Sequence, residues 1–447
     1  MLFLIIPYTP PLCQDFSAAP AVFRNSTVSR TGDIGASRVN RLHFSSLCDI
    51  IIVPERLNFI KTEIKMKVTI VCEVLGKANN GTTVAALNLI RSLKEKGHEV
   101  KVICPDADRE GLEGYYILPV TNMGSLINGI FEKNHVTLAK YDEQIIYDAI
   151  KDADVVHFMV PLFIARRATK LAASLGKPIT AGFHAQAENL KAHIIGLMGN
   201  HLANHLTYEW YDKNLFCRAD AIHYPTQFIR DVFEREVHRK TNGYVISNGV
   251  CSDFHPVPAE KPEQYRDKFC ILFTGRLSKE KSHIVLMKAV RKSKYADKIQ
   301  LFFAGNGPLL DKIEKYGKKY LKNPPVIGFY SRAELVDIIN FCDLYCHPAE
   351  IEIEAIACLE AISCGLVPVI ANSPRCATKA FALDERCLFE VNNPDDLAAK
   401  IDYFIEHPEE KAALRERYLS ESVTFDQAHC MDMMEQMLLD QVNKKDA

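Results

Sequence analysis

No apolar run in this 447-residue chain approaches the roughly 20 residues that a membrane-spanning helix needs. Nor does either sign of charge dominate. Lys and Arg number 54 against 56 Asp and Glu, a net charge of -2, so no overall field argues for nucleic acid, and basic residues count only patch by patch. The 14 cysteines contain no CxxC pair and no zinc-type Cys/His spacing. The nearest approach, Cys342 and Cys346 followed by His347, falls in a strand-like run, so these cysteines read as small buried hydrophobes in a reducing cytoplasm. A P-loop is missing, the first glycine-containing loop lacks Gly-x-Gly-x-x-Gly, and no Ser-His-Asp or Cys-His arrangement stands out. These absences weigh against a P-loop nucleotide hydrolase, a dinucleotide fingerprint and nucleophilic hydrolysis.

What is present is a globular composition, 48% hydrophobic and 25% charged, with length enough for two α/β domains. Residues 1–65 do not share the pattern that follows. MLFLIIPYTPPLC can be read as a signal peptide, but its basic leading region is missing. Arg24, Arg30, Arg38 and Arg41 suggest a transit peptide instead. The preferred expectation is that Met66 is the biological start and that the preceding residues are an extension outside the fold.

From Met66 the periodicity is clear. Residues 67–72, KVTIVC, read as a buried strand; a loop with Gly76, Asn79, Asn80 and Gly81 follows, and Thr82 or Thr83 is placed to cap a helix carrying Val84, Leu87, Ile90 and Leu93. A second strand at 99–104 completes a βαβ opening, the start of a doubly wound sheet. Further strands are expected at 154–158, 179–183 and 220–224. The helix at about 163–175 carries Arg166, Arg167 and Lys170 beside an apolar face, a pattern that suits either a solvated crossover helix or an anionic membrane surface. His184 follows a strand end, where open α/β sheets place ligand contacts. The apolar run 190–206 reads as a core helix or as a surface for an apolar acceptor.

Residues 256–266 read as a linker, and the strand at 269–273 restarts the rhythm. Gly275 and Arg276 then stand at a strand end with Lys281 five residues on, two cations beside backbone N–H groups around one anion site. Asn306 and Gly307 lie in a second strand-to-glycine turn, AGNGP. In HPAEIEIEAIACLEAISCG, Glu352 lies just ahead of a helix and Glu360 within its first turns. A helix N-terminus favours an anion such as a diphosphate, and carboxylates there suit the hydroxyls of a ribose or sugar attached to it. The Asp pairs at 106–108 and 152–154 lack further ligands, so no metal is expected.

Taken together, GRLSKEK (275–281), AGNGP (304–308), VIGF (326–329) and Glu352-x7-Glu360 with LEAISCGLVPVIA resemble the retaining glycosyltransferases of family 4, over about residues 66–442. That resemblance implies an α/β protein of GT-B fold, two Rossmann-like doubly wound domains facing a central cleft. Its implied domains are an N-terminal acceptor domain at 66–250, a nucleotide-sugar domain at 251–423, and a C-terminal helix at 424–447 returning to the first domain. It also implies Arg276 and Lys281 on the donor diphosphate, Glu360 on the ribose, Glu352 on the donor sugar and His184 near the transferred sugar. Gly81, Gly275, Asn306, Gly307 and Ile356 are expected at the donor, with no cofactor beyond the nucleotide-sugar substrate.

Two departures stand out. Ile353-Glu354-Ala355 replaces glycines usual after the first glutamate, which makes Glu354 a rival to Glu352, and Asn372-Ser373-Pro374-Arg375 replaces a Gly-Gly pair. Residues 350–389 are most similar to bacterial diacylglycerol glucosyltransferase-like members. With the basic helix and the 190–206 run, this favours hexose transfer from a UDP-glucose-like donor to a lipid, by a cytoplasmic enzyme peripheral to the inner face of an anionic membrane. A glycan, polyol or small-molecule acceptor, or a GT-B-fold sugar-nucleotide epimerase, is the alternative.

Overall fold

The computed structural model describes residues 65–446 apart from 74, 76–80, 122–136, 138 and 189–200. The extension before residue 65, the Asn79-Asn80 turn and most of the 190–206 run therefore lie outside the described residues.

Two parallel sheets organise the chain. In the N-terminal lobe the elements are β1 (Lys67–Val71), α1 (Gly81–Glu95), β2 (Glu99–Cys104), β3 (Tyr115–Ile117), α2 (Glu143–Ile150), β4 (Val155–Phe158), α3 (Ala165–Ser174), β5 (Ile179–Gly182), α4 (His201–Asn214), β6 (Ala221–Tyr224), α5 (Gln227–Glu236) and β7 (Gly243–Val245). Its seven strands run in the order β3-β2-β1-β4-β5-β6-β7. The C-terminal lobe holds β8 (Phe269–Thr274), α6 (His283–Lys292), β9 (Ile299–Ala304), α7 (Leu310–Tyr320), β10 (Val326–Gly328), α8 (Arg332–Phe341), β11 (Leu344–His347), α9 (Ile356–Ser363), β12 (Pro368–Asn372), β13 (Leu388–Glu390), α10 (Pro394–Glu406) and α11 (Pro408–Ser422). The order there is β10-β9-β8-β11-β12-β13. A last helix, α12 (Gln427–Asp446), follows.

Local chemistry explains the boundaries. The inner strands are short apolar runs buried on both faces, as parallel sheets require; β9, IQLFFA, is buried at every position, whereas β3, β7 and β10 are half-buried. Thr226 caps α5 by accepting from Ile229 N, Ser331 and Glu334 form a reciprocal capping box on α8, and Asn393 with Pro394 opens α10. The expected threonine cap on α1 is corrected. The helix already includes Gly81, so Thr82 and Thr83 lie inside it, Thr83 is buried, and the Thr82 hydroxyl donates to His184 O at 3.4 Å.

Helix α12 carries the methionine stripe back to the first lobe. Met431, Met434, Met437 and Leu438 are buried in one cluster with Met66, Val68, Leu89 and Leu93. Glu435 fixes the register by accepting from Lys96 Nζ at 2.6 Å and from His98 Nε2 at 2.7 Å. The two chain crossings between the lobes also join: Val250 N donates to Phe425 O at 2.7 Å and Gln427 N to Val250 O at 3.0 Å.

Candidate active site

Each sheet reverses its strand order between a central pair, β1 and β4 in the first lobe, β8 and β11 in the second. The crevice beyond the carboxyl ends of such a pair is where an open α/β sheet takes a ligand. The expected site residues follow the ends of β1, β5, β8, β9 and β11.

In the C-terminal lobe the loops after β8 and β9 interlock. Gly275 N donates to Ala304 O, Leu277 N to Asn306 O at 3.0 Å, and Leu309 N to Leu277 O. The approach is close enough to demand glycine: a Cβ on Gly307 would meet Leu277 O at 2.6 Å, and one on Gly305 would run into Gly275 O. Asn306 is exposed, its Oδ1 accepting from Gly307 N at 2.7 Å, and the side chain of Arg276 is exposed beside it in the β8 loop.

Lys281 ends the 3-10 turn Lys279–Lys281 and pairs with Glu352. Both side chains are largely buried, at 17% and 16% exposure, so little water screens the contact. Burial pulls the lysine pKa down, but the Glu352 charge and hydrogen bond outweigh it and hold the ammonium above its usual range. His347 Nε2 lies 3.8 Å from Glu352, and burial together with the Lys281 charge keeps that imidazole neutral. Glu360 projects from the second turn of α9, where burial pushes its carboxyl up to about 7 against the opposing charge of Arg332. Ile356 is the first residue of that helix.

Glu354 does not join this cluster. It is buried at 4% exposure, and its carboxylate accepts from Ser247 Oγ at 2.5 Å, from Asn248 Nδ2 at 2.5 Å and from Asn248 N at 3.1 Å. The Asn372–Arg375 departure also has a definite place. Arg375 pairs with Glu350, Ser373 Oγ donates to Glu350 O at 2.6 Å, and Glu352 bridges in parallel to Cys376. Thus Glu350, Glu352 and Glu354, alternating along one stretch, turn to three different partners.

On the opposite lobe, His184 is half-buried after β5, its ring edge-on to that of His223 at 5.3 Å. Burial and the neighbouring imidazoles hold it well below the usual histidine range. Behind it, His223 Nε2 donates to Ile246 O at 2.7 Å, and His157 pairs with Thr180 at 2.9 Å; burial lowers these two to about 4 and about 3. Two residues past His184, Gln186 Nε2 donates to Arg375 O at 3.2 Å, which brings the two lobes' loops together. Gly81 opens α1, and among the described residues, its chain neighbours and own helix backbone aside, no atom lies within 4 Å of where its Cβ would stand.

Sequence reasoning passed over Glu73. It follows β1, is 1% exposed, and its two carboxylate oxygens accept from Ile164 N at 3.0 Å and Ala165 N at 3.2 Å at the start of α3. Burial raises it to about 8 despite those hydrogen bonds. The only local signal was a carboxylate at the end of an otherwise apolar strand.

Residues 79–254 match the model for Glycosyltransferase Family 4, and residues 258–418 that for Glycosyl transferases group 1. A GDP-mannose-dependent alpha-mannosyltransferase of Mycolicibacterium smegmatis is 27% identical over 318 residues, 68% of this chain and 79% of that protein. The Anabaena protein HepE, solved with UDP and glucose, superposes with a TM-score of 0.63 at 14% identity, over 84% of this chain and 100% of that one. WaaG, a glycosyltransferase involved in lipopolysaccharide biosynthesis, gives 0.59 at 13% identity, over 83% and 99%. Both share the two-lobed GT-B architecture.

Proposed function

The chain belongs to glycosyltransferase family 4 and transfers a sugar from a nucleotide sugar, and from that premise we propose that it moves a hexose, with retention, from a UDP-glucose-like donor to a diacylglycerol-type lipid hydroxyl at a membrane surface. The observation that carries the donor half is the pairing of Lys281 with Glu352 beside the interlocked glycine loops, at the switch point of the second sheet, with Glu360 on the helix that follows. A diphosphate there faces Arg276, Lys281 and backbone N–H groups. Glu360 suits the ribose hydroxyls and Glu352 those of the sugar.

When the sugar–phosphate bond breaks, negative charge develops on the leaving diphosphate. The cations Lys281, largely buried, and Arg276, exposed at the loop, stabilise that charge without needing a divalent ion. For retention, the acceptor hydroxyl attacks from the face the diphosphate is leaving, and the leaving phosphate oxygen takes its proton. His184, on the first lobe, is assigned to the side of the transferred sugar away from these cations.

For the acceptor, support comes from the surface of the first lobe. Arg166, Arg167 and Lys170 are exposed on α3, and just before that helix Phe163 is 50% exposed against Trp210, ring centroids 6.2 Å apart. On α4, Leu202 and Leu206 are exposed at 67% and 55%. Apolar side chains bordered by cations suit an interface of acyl chains and anionic headgroups. Among the described residues no helix is long and apolar enough to cross a membrane, so contact would be peripheral.

The deciding experiment is a nucleotide-release assay over UDP-glucose, UDP-galactose and GDP-mannose, with diacylglycerol vesicles, oligosaccharides and polyols as acceptors. Release from UDP-glucose that depends on diacylglycerol is the expected result. Release driven only by a soluble acceptor overturns the lipid assignment, and interconversion of the donor without any acceptor, seen by NMR, overturns transfer itself.

A further inference from the structure

Glu354 stands two residues from Glu352 and one residue before Ala355, which adopts φ 63°, ψ 63° as it turns into α9. A left-handed alanine costs about 1–2 kcal/mol, so other contacts must hold that turn. They come from the other lobe. Four contacts joining Glu354 to Ser247 and Asn248 tie it to the strand-to-linker segment after β7, and Thr226 Oγ1 donates to Ile353 O at 2.9 Å. On the far side of Glu352, Ala377 N donates to its carbonyl at 2.9 Å. The backbone around Glu352 is thus gripped from both sides, and Glu354 is anchored on Ser247 and Asn248, in the segment that leads from the first lobe into the interlobe linker. That linker is itself tight: a Cβ on Gly249 would sit 2.6 Å from Gln427 Cα, beside the returning chain.

The groups that hydrogen-bond Glu354 all donate to it: a hydroxyl, a side-chain amide N–H and a backbone N–H. Burial pushes its carboxyl up to about 7, and these donors work against that rise by favouring the charged, acceptor-only form; a glutamine would bring an NH2 among them.

We propose that Glu354 is a positioning residue, a clasp between the interlobe linker and the donor loop that sets the place of Glu352 and so couples the relation of the lobes to the grip on the donor sugar. This rests on the assignment of Glu352 to the sugar made above. The nucleoside diphosphate has holders besides Lys281, in Arg276 and the glycine loops, so it depends on the clasp less than the sugar does.

The test uses the full-length chain with two variants that break the clasp from opposite sides, Glu354→Gln and the double variant Ser247→Ala/Asn248→Ala. Hydrogen exchange of the ligand-free proteins is read at amides 352–358. Exchange there is expected to accelerate by about tenfold or more in both variants, the range for lost hydrogen bonds to a charged group. In turnover, kcat/KM for the intact nucleotide sugar is expected to fall about tenfold or more while the dissociation constant of the nucleoside diphosphate alone, measured with UDP and GDP by calorimetry, stays within about twofold.

Unchanged exchange at 352–358 in both variants overturns the clasp. Faster exchange with unaltered kcat/KM shows that Glu352 keeps its place without it, which also overturns the proposal. A wild-type protein that turns over no nucleotide sugar counts against the assigned reaction, whereas the exchange measurement still decides the clasp.

Discussion

Lys281 Nζ lies against Glu352 Oε2, although 71 residues separate them and they follow different strands, β8 and β11. The pairing of those two strands at the centre of the second sheet makes the meeting possible. Without ligand each neutralises the other. In the proposed function a bound donor gives the lysine a diphosphate to face and the glutamate a sugar.

Lys281→Ala is therefore expected to lower transfer by about 10²–10³-fold, the scale for removing one group that stabilises transition-state charge. Arg276→Ala is expected to remove most turnover as well, and near wild-type nucleotide release in both variants would sink the diphosphate assignment. Activity is expected to survive EDTA, because these side chains supply the positive charge.

Two glycines are expected to respond in opposite ways. Gly307→Ala pushes a methyl group into Leu277, so the donor loops must separate, and both thermal stability and nucleotide binding should fall. Gly81→Ala, in open space at the start of α1, should hold or raise stability by up to about 1 kcal/mol. Differential scanning fluorimetry with and without UDP separates the two.

Met434 and Leu438 are buried at 2% and 0%, so Met434→Ala or Leu438→Ala should each cost about 2–5 kcal/mol in urea unfolding. An equal cost from Met433→Ala, whose side chain is 40% exposed on the same helix, would show that the stripe is not what anchors α12.

Glu73 gives a pH signature. Its carboxyl titrates at about 8 in the folded chain against a usual 4.5, so between those values the folded state binds the extra proton. Its contribution to stability is fully present below about 4.5 and is lost as pH rises toward 8. Glu73→Gln should flatten that decline by up to about 1.4 kcal/mol per pH unit, read from urea midpoints across the window.

The exposed apolar residues predict a surface effect. Leu202→Glu/Leu206→Glu should leave thermal stability nearly unchanged while abolishing sedimentation with anionic vesicles, and Arg166→Glu/Lys170→Glu should weaken it in a salt-dependent way. Undiminished sedimentation in both variants would remove the membrane surface from the proposed function.

Much of this architecture was legible in the residues because parallel strands buried on both faces are short apolar runs with glycine turns at their carboxyl ends. KVTIVC, IQLFFA and VPVIA announce themselves by local pattern, as does the helix that begins between Glu352 and Glu360. The threonine cap on α1 was misplaced because a helix start depends on where the Thr82 hydroxyl finds a partner, and that partner, His184 O, lies 102 residues away.

By itself the sequence determined the α/β alternation, the two-lobed plan and the glutamate pair Glu352-x7-Glu360, since periodicity and motif spacing are local properties of a chain. Only the tertiary structure decided which of three alternating glutamates faces what. Glu350 meets Arg375, Glu352 meets Lys281, and Glu354 meets Ser247 and Asn248. Identical side chains two residues apart carry no local mark of their partners. Their roles are assigned by charges and donors delivered from distant segments when the sheets form and the lobes close on the linker.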